Sequence, residues 1–523
     1  MPVWTEPLLL ELASLTSFTT YTMGQLSDLP PELILTIFSH LRLGLPMHDL
    51  FVWTRDIDEQ GRITGVRWND LLNFSLLNRH FRQIVSDKLY TQIRIQGKLP
   101  ITRLVSFLRF ITAHTEAAAD VRQVYINLDP GRTGSGSLRQ KDIYLIQTAA
   151  ENSGITYPQE IFPCEDLAAD HLAKSLIDLR NPGYQEEEHL RLQVLVAILL
   201  AHLRGTQELA LTCPYGVFRN FARGNLAKQR GPGFDPDDER VRFADETPMI
   251  VGKPWLPQLF SLVMTHIAGT EPFRTIGFEG DELANLLCLG SKTSRLCLDD
   301  AGVDFRLQKG PVGNWANISH LTLTTQHISI AAMQSIANHC SALSTFKYLP
   351  TACESFGVTQ STQAEPGEVI HALRKHANTL RTLCISSSGY SPRGFLSMPV
   401  SKLDCFVALE NLWIDNRTIT GDLPAVQGTL IRVDRREKLI MSLPPSIKRL
   451  HLHNASYVPS GGLYWLAGHS ELFPNLVRVE LDWPTGDDYT PEEVIRKLFL
   501  QVGVDAPTRR GMIRDARLWD RYF

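Results

Sequence analysis

The residues whose types and spacing come nearest to a reaction centre are two histidines, His451 and His453, two positions apart. On a β-strand, side chains at positions i and i+2 lie on the same face, so both imidazoles would point the same way. Imidazole is a common zinc ligand, but a zinc site needs three or four protein ligands, and no third one lies nearby in the sequence. We therefore expect no metal site and interpret both histidines as solvent-facing contact residues.

Motifs for other chemistry are not found in the sequence. There is no G-x-S-x-G, no H-E-x-x-H, no phosphate-binding G-x-x-x-x-G-K-[ST] loop and no G-x-G-x-x-G after a strand pattern. The eight cysteines are spread from Cys164 to Cys405 without a C-x-x-C pair, which indicates reduced, mostly buried thiols. We expect no catalytic residue and no cofactor; the alternative is an enzyme of unrecognised type within 96–300.

Composition favours a globular protein that binds neither nucleic acid nor a membrane. The chain has 523 residues, 43% apolar and 21% charged, and its net charge of -4 provides no general attraction to polyanions. No uninterrupted apolar run is long enough to span a bilayer, and the first residues lack the basic start of a signal peptide. We expect a cytoplasmic or nuclear protein whose translation starts at Met1 or Met23.

A six-residue pattern, apolar-x-x-apolar-x-apolar, recurs along the chain and predicts a series of short strands. Clear copies end at Ile126, Leu323, Tyr348, Ile385, Ile414, Leu452 and Leu481, and weaker copies end at Leu211 and Leu298. From Leu298 onward the copies advance by 25, 25, 37, 29, 38 and 29 residues. Helix-like runs lie between copies at 328–340 and 368–380. The spacing favours an irregular leucine-rich-repeat-like solenoid, with another α/β arrangement as the alternative.

The same pattern predicts which side chains the strands present. The two apolar side chains of each L-x-L point into a core, and the residues between and beside them point to the opposite, concave face. Aromatic and arginine side chains are enriched at protein interaction hot spots. We predict that a protein substrate contacts Thr322, Thr382, Trp413, Asp415, Arg449, His451, His453, Arg478 and Glu480.

Residues 26–95 have the punctuation of a helical unit. Pro30 suits a first helical turn, where its missing N–H costs nothing, and Glu32 faces the positive end of the helix dipole. An apolar stripe follows at four-residue spacing, made of Leu33, Ile37 and Leu41. We interpret 42–69 as an inserted surface loop, after which a second helical pattern starts near Asp70.

This unit resembles an F-box, whose pattern is leucine-proline-x-glutamate-apolar, an apolar helix and a leucine-rich segment. The chain reads LPPELI from Leu29 and LLNRHF from Leu76, and it is similar to F-box proteins of filamentous fungi. It departs from the family in its long insertion and in Phe81 and Tyr90, where tryptophan is usual. The resemblance implies a Skp1-binding surface composed of Leu29, Pro30, Leu33, Ile37, Leu41, Leu76, Leu77 and Phe81. The alternative is that these leucines pack inside the chain.

The expected fold class is α+β or α/β, with an N-terminal helical F-box followed by an irregular leucine-rich-repeat-like solenoid. The expected layout is an extension at 1–25, the F-box at 26–95, an irregular platform at 96–300 with a mobile loop at 219–248, a repeat region at 301–490 and a charged tail at 491–523. The resemblance implies a substrate-recognition adaptor of an SCF-type ubiquitin ligase, joined through Skp1 to a cullin–RING complex. The alternative function is an F-box-like interaction scaffold not engaged in ubiquitination.

Overall fold

A computed structural model describes about half of the chain. The described residues are 91–95, 100–128, 138–155, 157, 161–162, 182–213, 255–266, 283, 286–299, 313–324, 328–349, 364–386, 400, 403–415, 418, 442–453, 460–483 and 492–510. The predicted extension, the loop at 219–248 and all eight predicted Skp1-binding residues lie outside them, so those predictions stay predictions.

Twelve β-strands of the described chain form one sheet, in which every pair of neighbours is parallel and the order follows the sequence. The strands are β1 (Gln92–Ile95), β2 (Gln123–Asn127), β3 (Glu208–Cys213), β4 (Ser261–His266), β5 (Arg295–Asp299), β6 (His320–Thr324), β7 (Thr345–Tyr348), β8 (Thr382–Ile385), β9 (Asn411–Asp415), β10 (Arg449–His453), β11 (Arg478–Trp483) and β12 (Thr508–Arg510). Parallel neighbours cannot be joined by a tight hairpin, so a crossover connection separates each strand from the next.

Several of the crossovers contain helices. The described α-helices are α1 (Pro100–Ala113), α2 (Thr115–Asp120), α3 (Gln140–Ser153), α4 (Pro182–His202), α5 (Ile330–His339), α6 (Pro366–Leu373), α7 (Ser460–Gly468) and α8 (Glu492–Gln501). Short 3₁₀ turns occupy Gly313–Asn317, Arg374–His376 and Ser470–Leu472. Local sequence sets some of the helix ends. The Ser329 hydroxyl accepts a hydrogen bond from the Ala332 amide at the start of α5, and Gly154 ends α3 with a left-handed φ of 69°.

The helices and one face of the sheet share a single hydrophobic core. Strand side chains such as Leu321 and Leu412 are fully buried in the same cluster as Ile336 of α5 and Leu373 of α6. The 192–200 segment of α4 is buried on all sides, so its apolar residues form part of the core. None of the described helices is long and apolar enough to cross a bilayer. We call the face of the sheet that joins this core the helix face, and the opposite one the far face.

The fold class predicted from the sequence is wrong. Instead of a helical F-box followed by an irregular leucine-rich-repeat-like solenoid, the described residues form one all-parallel sheet with helices, an α/β arrangement. The sheet already includes β1, inside the predicted F-box range, and it continues without a break across position 300, where β5 pairs with β6. The physical reason is that an L-x-x-L-x-L pattern specifies a strand with one buried face, whatever the connections between strands are.

Individual elements were predicted better than their assembly. All nine copies of the apolar pattern coincide with strands. The helix-like run at 328–340 contains α5, whereas the run at 368–380 overlaps only the second part of α6. β1, β4 and β12 were not predicted from the pattern. For β4 a signal was present, because Leu259, Leu262 and Met264 have the same spacing as the copies that were recognised.

A buried histidine joins consecutive crossovers. His376, in the turn after α6, is 1% exposed, and its Nε2 lies 2.9 Å from the carbonyl oxygen of Ala337 in α5. The Leu343 amide donates to Nδ1 of the same ring over 3.3 Å. An imidazole that accepts at Nδ1 carries its proton at Nε2 and is neutral. Burial, the largest cause, lowers the pKa of His376 below its ordinary value of 6.5; the charge of Lys375 also lowers it, while the Ala337 hydrogen bond opposes the change.

This arrangement predicts that the folded protein loses stability in mild acid. Since the pKa of His376 is lower in the folded than in the unfolded state, the unfolded state binds more protons, and the free energy of unfolding falls as pH drops below about 6.5. Urea denaturation at a series of pH values measures this slope. His376→Gln should reduce the slope, whereas His371→Gln, at an exposed position of α6, should leave it unchanged. Equal slopes in the wild type and His376→Gln would contradict the assignment.

Candidate protein-interaction face

Strand register arranges the far face into straight rows of side chains. The row nearest the strand starts, which we call the edge row, consists of Gln92, Gln123, Glu208, Ser261, Arg295, His320, Thr345, Thr382, Asn411, Arg449 and Arg478. The next, or middle row, consists of Arg94, Tyr125, Ala210, Val263, Cys297, Thr322, Lys347, Cys384, Trp413, His451 and Glu480. Each row therefore crosses eleven strands and is perpendicular to the direction of the strands.

The two rows differ in their access to solvent. Every residue of the edge row is at least partly exposed, and Arg295 is the most open of them. In the middle row, the residues from Lys347 to Glu480 are buried, while Cys297 and Thr322 are partly open. The far face can therefore contact another molecule along the strand starts and near the centre of the sheet.

A charged cluster is buried where β10 and β11 pair. His451 Nε2 donates to Asp482 Oδ2 over 2.6 Å, and His453 Nδ1 lies 3.4 Å from the same oxygen. His451 Nδ1 lies 3.6 Å from Glu480 Oε2. Arg478 Nε is 2.7 Å from Glu480 Oε1, close enough for an ion pair although its angle is poor for a hydrogen bond. Strand β11 thus supplies the carboxylates of Glu480 and Asp482, which contact the two histidines of β10.

Trp413 completes the cluster from β9. Its ring stacks on that of His453, with centroids 5.3 Å apart and planes 25° apart, and it is tilted against His451 at 5.6 Å. Trp413 is 2% exposed and also contacts Cys384 in a small apolar cluster. An aromatic face beside imidazoles stabilises whichever of them carries positive charge.

Asp482 is the electrostatic centre of this cluster. Burial acts to raise its pKa, but the hydrogen bonds and positive charge of His451 and His453 together outweigh burial, so the pKa of Asp482 lies below its ordinary value of 3.8. The carboxylate is therefore charged, and it is 1% exposed. Its Oδ1, like Nδ1 of His451, has no hydrogen-bond partner among the described residues. Removing a partner from such a buried charge costs far more than breaking a surface pair.

The structure distributes the nine predicted contact residues over this face. It brings together Trp413, His451, His453, Arg478 and Glu480, whereas Thr322, Thr382 and Arg449 lie in the rows as partly exposed residues. Asp415 ends β9, with its Cα paired to that of His453. The expectation that the two histidines face solvent is wrong, because both are buried, as are Trp413 and Glu480. Direct substrate contact stays a prediction for the accessible residues.

Two residues that matter to this cluster were not among the predicted contacts. Asp482 follows Glu480 by two positions on the same strand face, where strand alternation predicts it. Asp505 pairs with Arg478 through an isolated parallel bridge, and its carboxylate lies 3.8 Å from the guanidinium. No local signal in the sequence indicates the contact between Arg478 and Asp505.

Among the described residues, no group of three or more histidine, cysteine or acidic side chains is arranged to hold a metal ion. Cys288, Cys297, Cys340, Cys384 and Cys405 form no disulfide, and Cys340 and Cys384 are buried. Burial raises the pKa of Cys340 to about 12, although Lys375 opposes the change, so this thiol is protonated and a poor nucleophile at neutral pH.

Comparison with known proteins adds no relative. No protein-family model matches the sequence, and no match is found among curated proteins.

We predict that His451 and Asp482 are strongly coupled in stability. Replacing either with alanine leaves a buried polar partner, and Asp482→Ala should lower the free energy of unfolding by about 3 kcal/mol. A double-mutant cycle with His451→Ala should give a coupling of about 1.5–3 kcal/mol, the range for hydrogen bonds to charged groups. Urea denaturation of the four proteins measures it.

The control for this cycle is an exposed ion pair. Glu493 and Lys497 lie one turn apart on α8, with 3.3 Å between their charged atoms and more than half of each side chain exposed. Their coupling should be about 0.5 kcal/mol or less. A coupling between His451 and Asp482 as small as that of the control pair would show that the buried contact is not formed.

Proposed function

We propose that this protein is a substrate-recognition adaptor of an SCF-type ubiquitin ligase. The observation that carries the proposal is the LPPELI and LLNRHF segments, both of which precede β1, the first described strand. The resemblance of those segments to an F-box supports a role in binding a Skp1-like protein. If those segments bind Skp1, the sheet that follows them is the part of the chain that remains available to a substrate.

The size and shape of the far face support a protein as the molecule that it binds. Neighbouring strands lie about 4.8 Å apart, so the edge row is roughly 48 Å long. A small molecule is normally enclosed in a concave pocket, whereas a protein contacts an extended surface that is wholly or partly exposed. The edge row is exposed in this way at every strand from β1 to β11.

The proposed mechanism is proximity. The F-box attaches the chain to Skp1, and through it to a cullin–RING complex, while the sheet holds a protein substrate close to the ubiquitin carrier. Transfer between bound partners then behaves as an intramolecular reaction, which raises its rate without any covalent step on this chain. The adaptor would act in the cytoplasm or the nucleus, where such complexes assemble.

The 42–69 insertion and the absence of the usual tryptophans at Phe81 and Tyr90 favour a second candidate. In that case the chain is an F-box-like interaction scaffold that is not engaged in ubiquitination. The two functions differ in whether a cullin is present together with Skp1 in the purified complex.

The proposal predicts that Leu33→Asp combined with Ile37→Asp abolishes co-purification of Skp1 with the full-length chain. Replacing one central interface leucine costs about 2 kcal/mol or more, roughly thirtyfold in affinity, and a buried charge increases that cost. Val407→Asp with Val494→Asp is the matched control, because these side chains are 62% and 52% exposed on the described platform.

The outcomes separate the candidates. Loss of Skp1 from the first variant only, with a cullin in the wild-type complex, supports the adaptor. Skp1 without a cullin supports the scaffold. No association of the wild-type chain with Skp1 under mild conditions would remove both.

A further inference from the structure

The strand starts of the sheet carry an excess of positive charge. In the edge row and the residues directly before it, the basic side chains are Arg122, Arg295, Arg381, Lys448, Arg449 and Arg478, and the acidic ones are Glu208 and Glu410. The whole chain has a net charge of -4. This edge of the sheet therefore has the opposite sign to the protein as a whole, so the charge excess is a local feature.

Some of these cations have partners within the chain. Lys448 lies 3.2 Å from Glu410, Arg478 pairs with Glu480, and Arg122 donates to the Gly205 carbonyl over 3.1 Å. Arg295 and Arg381 are different, because both are exposed and no described carboxylate pairs with either. These two arginines are available to an anionic partner.

Arg295 is also held in position. Its guanidinium lies 5.7 Å from the centroid of the Phe260 ring, a distance at which a cation and an aromatic face attract each other. Between Arg295 and Arg381 lie His320 and Thr345 of the edge row, both partly exposed. The surface between the two arginines is therefore polar.

We propose that the strand starts from β5 to β8, with Arg295 in the edge row and Arg381 directly before it, bind an extended, acidic segment of a protein that lies across the strands. The inference rests on the proposed function, since it names the class of substrate that the adaptor's sheet would hold. Three strand steps separate Arg295 from Arg381, or roughly 14 Å, and an extended chain covers that distance in about four residues. Acidic side chains at positions i and i+4 point to the same side and reach both arginines.

A carboxylate-rich peptide fits this surface better than nucleic acid does. The planar guanidinium forms paired hydrogen bonds with a carboxylate, and two such pairs define both register and direction. A phosphate backbone binds tightly only where many cations neutralise it. Glu208 and Glu410 place negative charge in the same region and therefore disfavour nucleic acid.

The test uses the full-length chain and fluorescence anisotropy with labelled peptides of about 12 residues. One probe has glutamates at i and i+4, a second has glutamines there, and a third has its two glutamates adjacent. The first should bind most tightly, and the double variant Arg295→Glu/Arg381→Glu should weaken its binding about tenfold or more, with partial retention in the double lysine variant. Lys141→Glu/Arg496→Glu, at exposed positions of α3 and α8, is the charge-matched control and should bind like the wild type.

Three results would overturn the inference. They are equal binding of the glutamate and glutamine peptides, unchanged binding by the arginine variant, and displacement of the peptide by a single-stranded oligonucleotide at similar concentration. Circular dichroism of each variant checks that it is folded. Co-purification of Skp1 is measured on the same proteins: if Skp1 binds and the acidic probe does not, only this inference fails, whereas the reverse result removes the adaptor role and leaves the acidic specificity.

Discussion

The parallel backbone ladder constrains the rest of the described structure. Each strand pairs with its predecessor and its successor in sequence, so the L-x-L positions of every strand align with those of its neighbours. Alignment produces a continuous apolar helix face, which the crossover helices cover, and a far face of straight rows. Since parallel strands need crossovers, the ladder and the helix layer depend on each other, and neither buries its apolar side chains without the other.

The far face divides into a part that stabilises the sheet and a part that can contact other molecules. Around His451 and Asp482, charges are removed from water and compensated by hydrogen bonds, by ion pairs and by the Trp413 ring. Such a network favours one arrangement of β9, β10 and β11 over alternatives. At the strand starts, in contrast, Arg295 and Arg381 remain exposed to solvent. Burial, more than residue type, therefore distinguishes structural charges from charges available for binding.

Sequence patterns predicted local structure well and assembly poorly. Strands such as β6 and β9 were located correctly because alternation of apolar and polar residues is a property of a few consecutive positions. The fold class was wrong because the same alternation is compatible with different connections between strands. His451 and His453 were expected to face solvent, because histidines that alternate with apolar residues are typical of an exposed strand face. Their partners Asp482 and Glu480 come from the following strand, about 30 residues later.

Taken alone, the sequence determined the positions of nine of the twelve described strands, because each depends on the alternation of residues within one strand. Only the tertiary structure decided that the strands form one parallel sheet, which far-face side chains are buried, and that Arg478 meets Asp505. The physical reason is that burial and charge compensation depend on which segments pack together, and strand pairing across crossovers of 20 residues or more is not encoded in any local pattern.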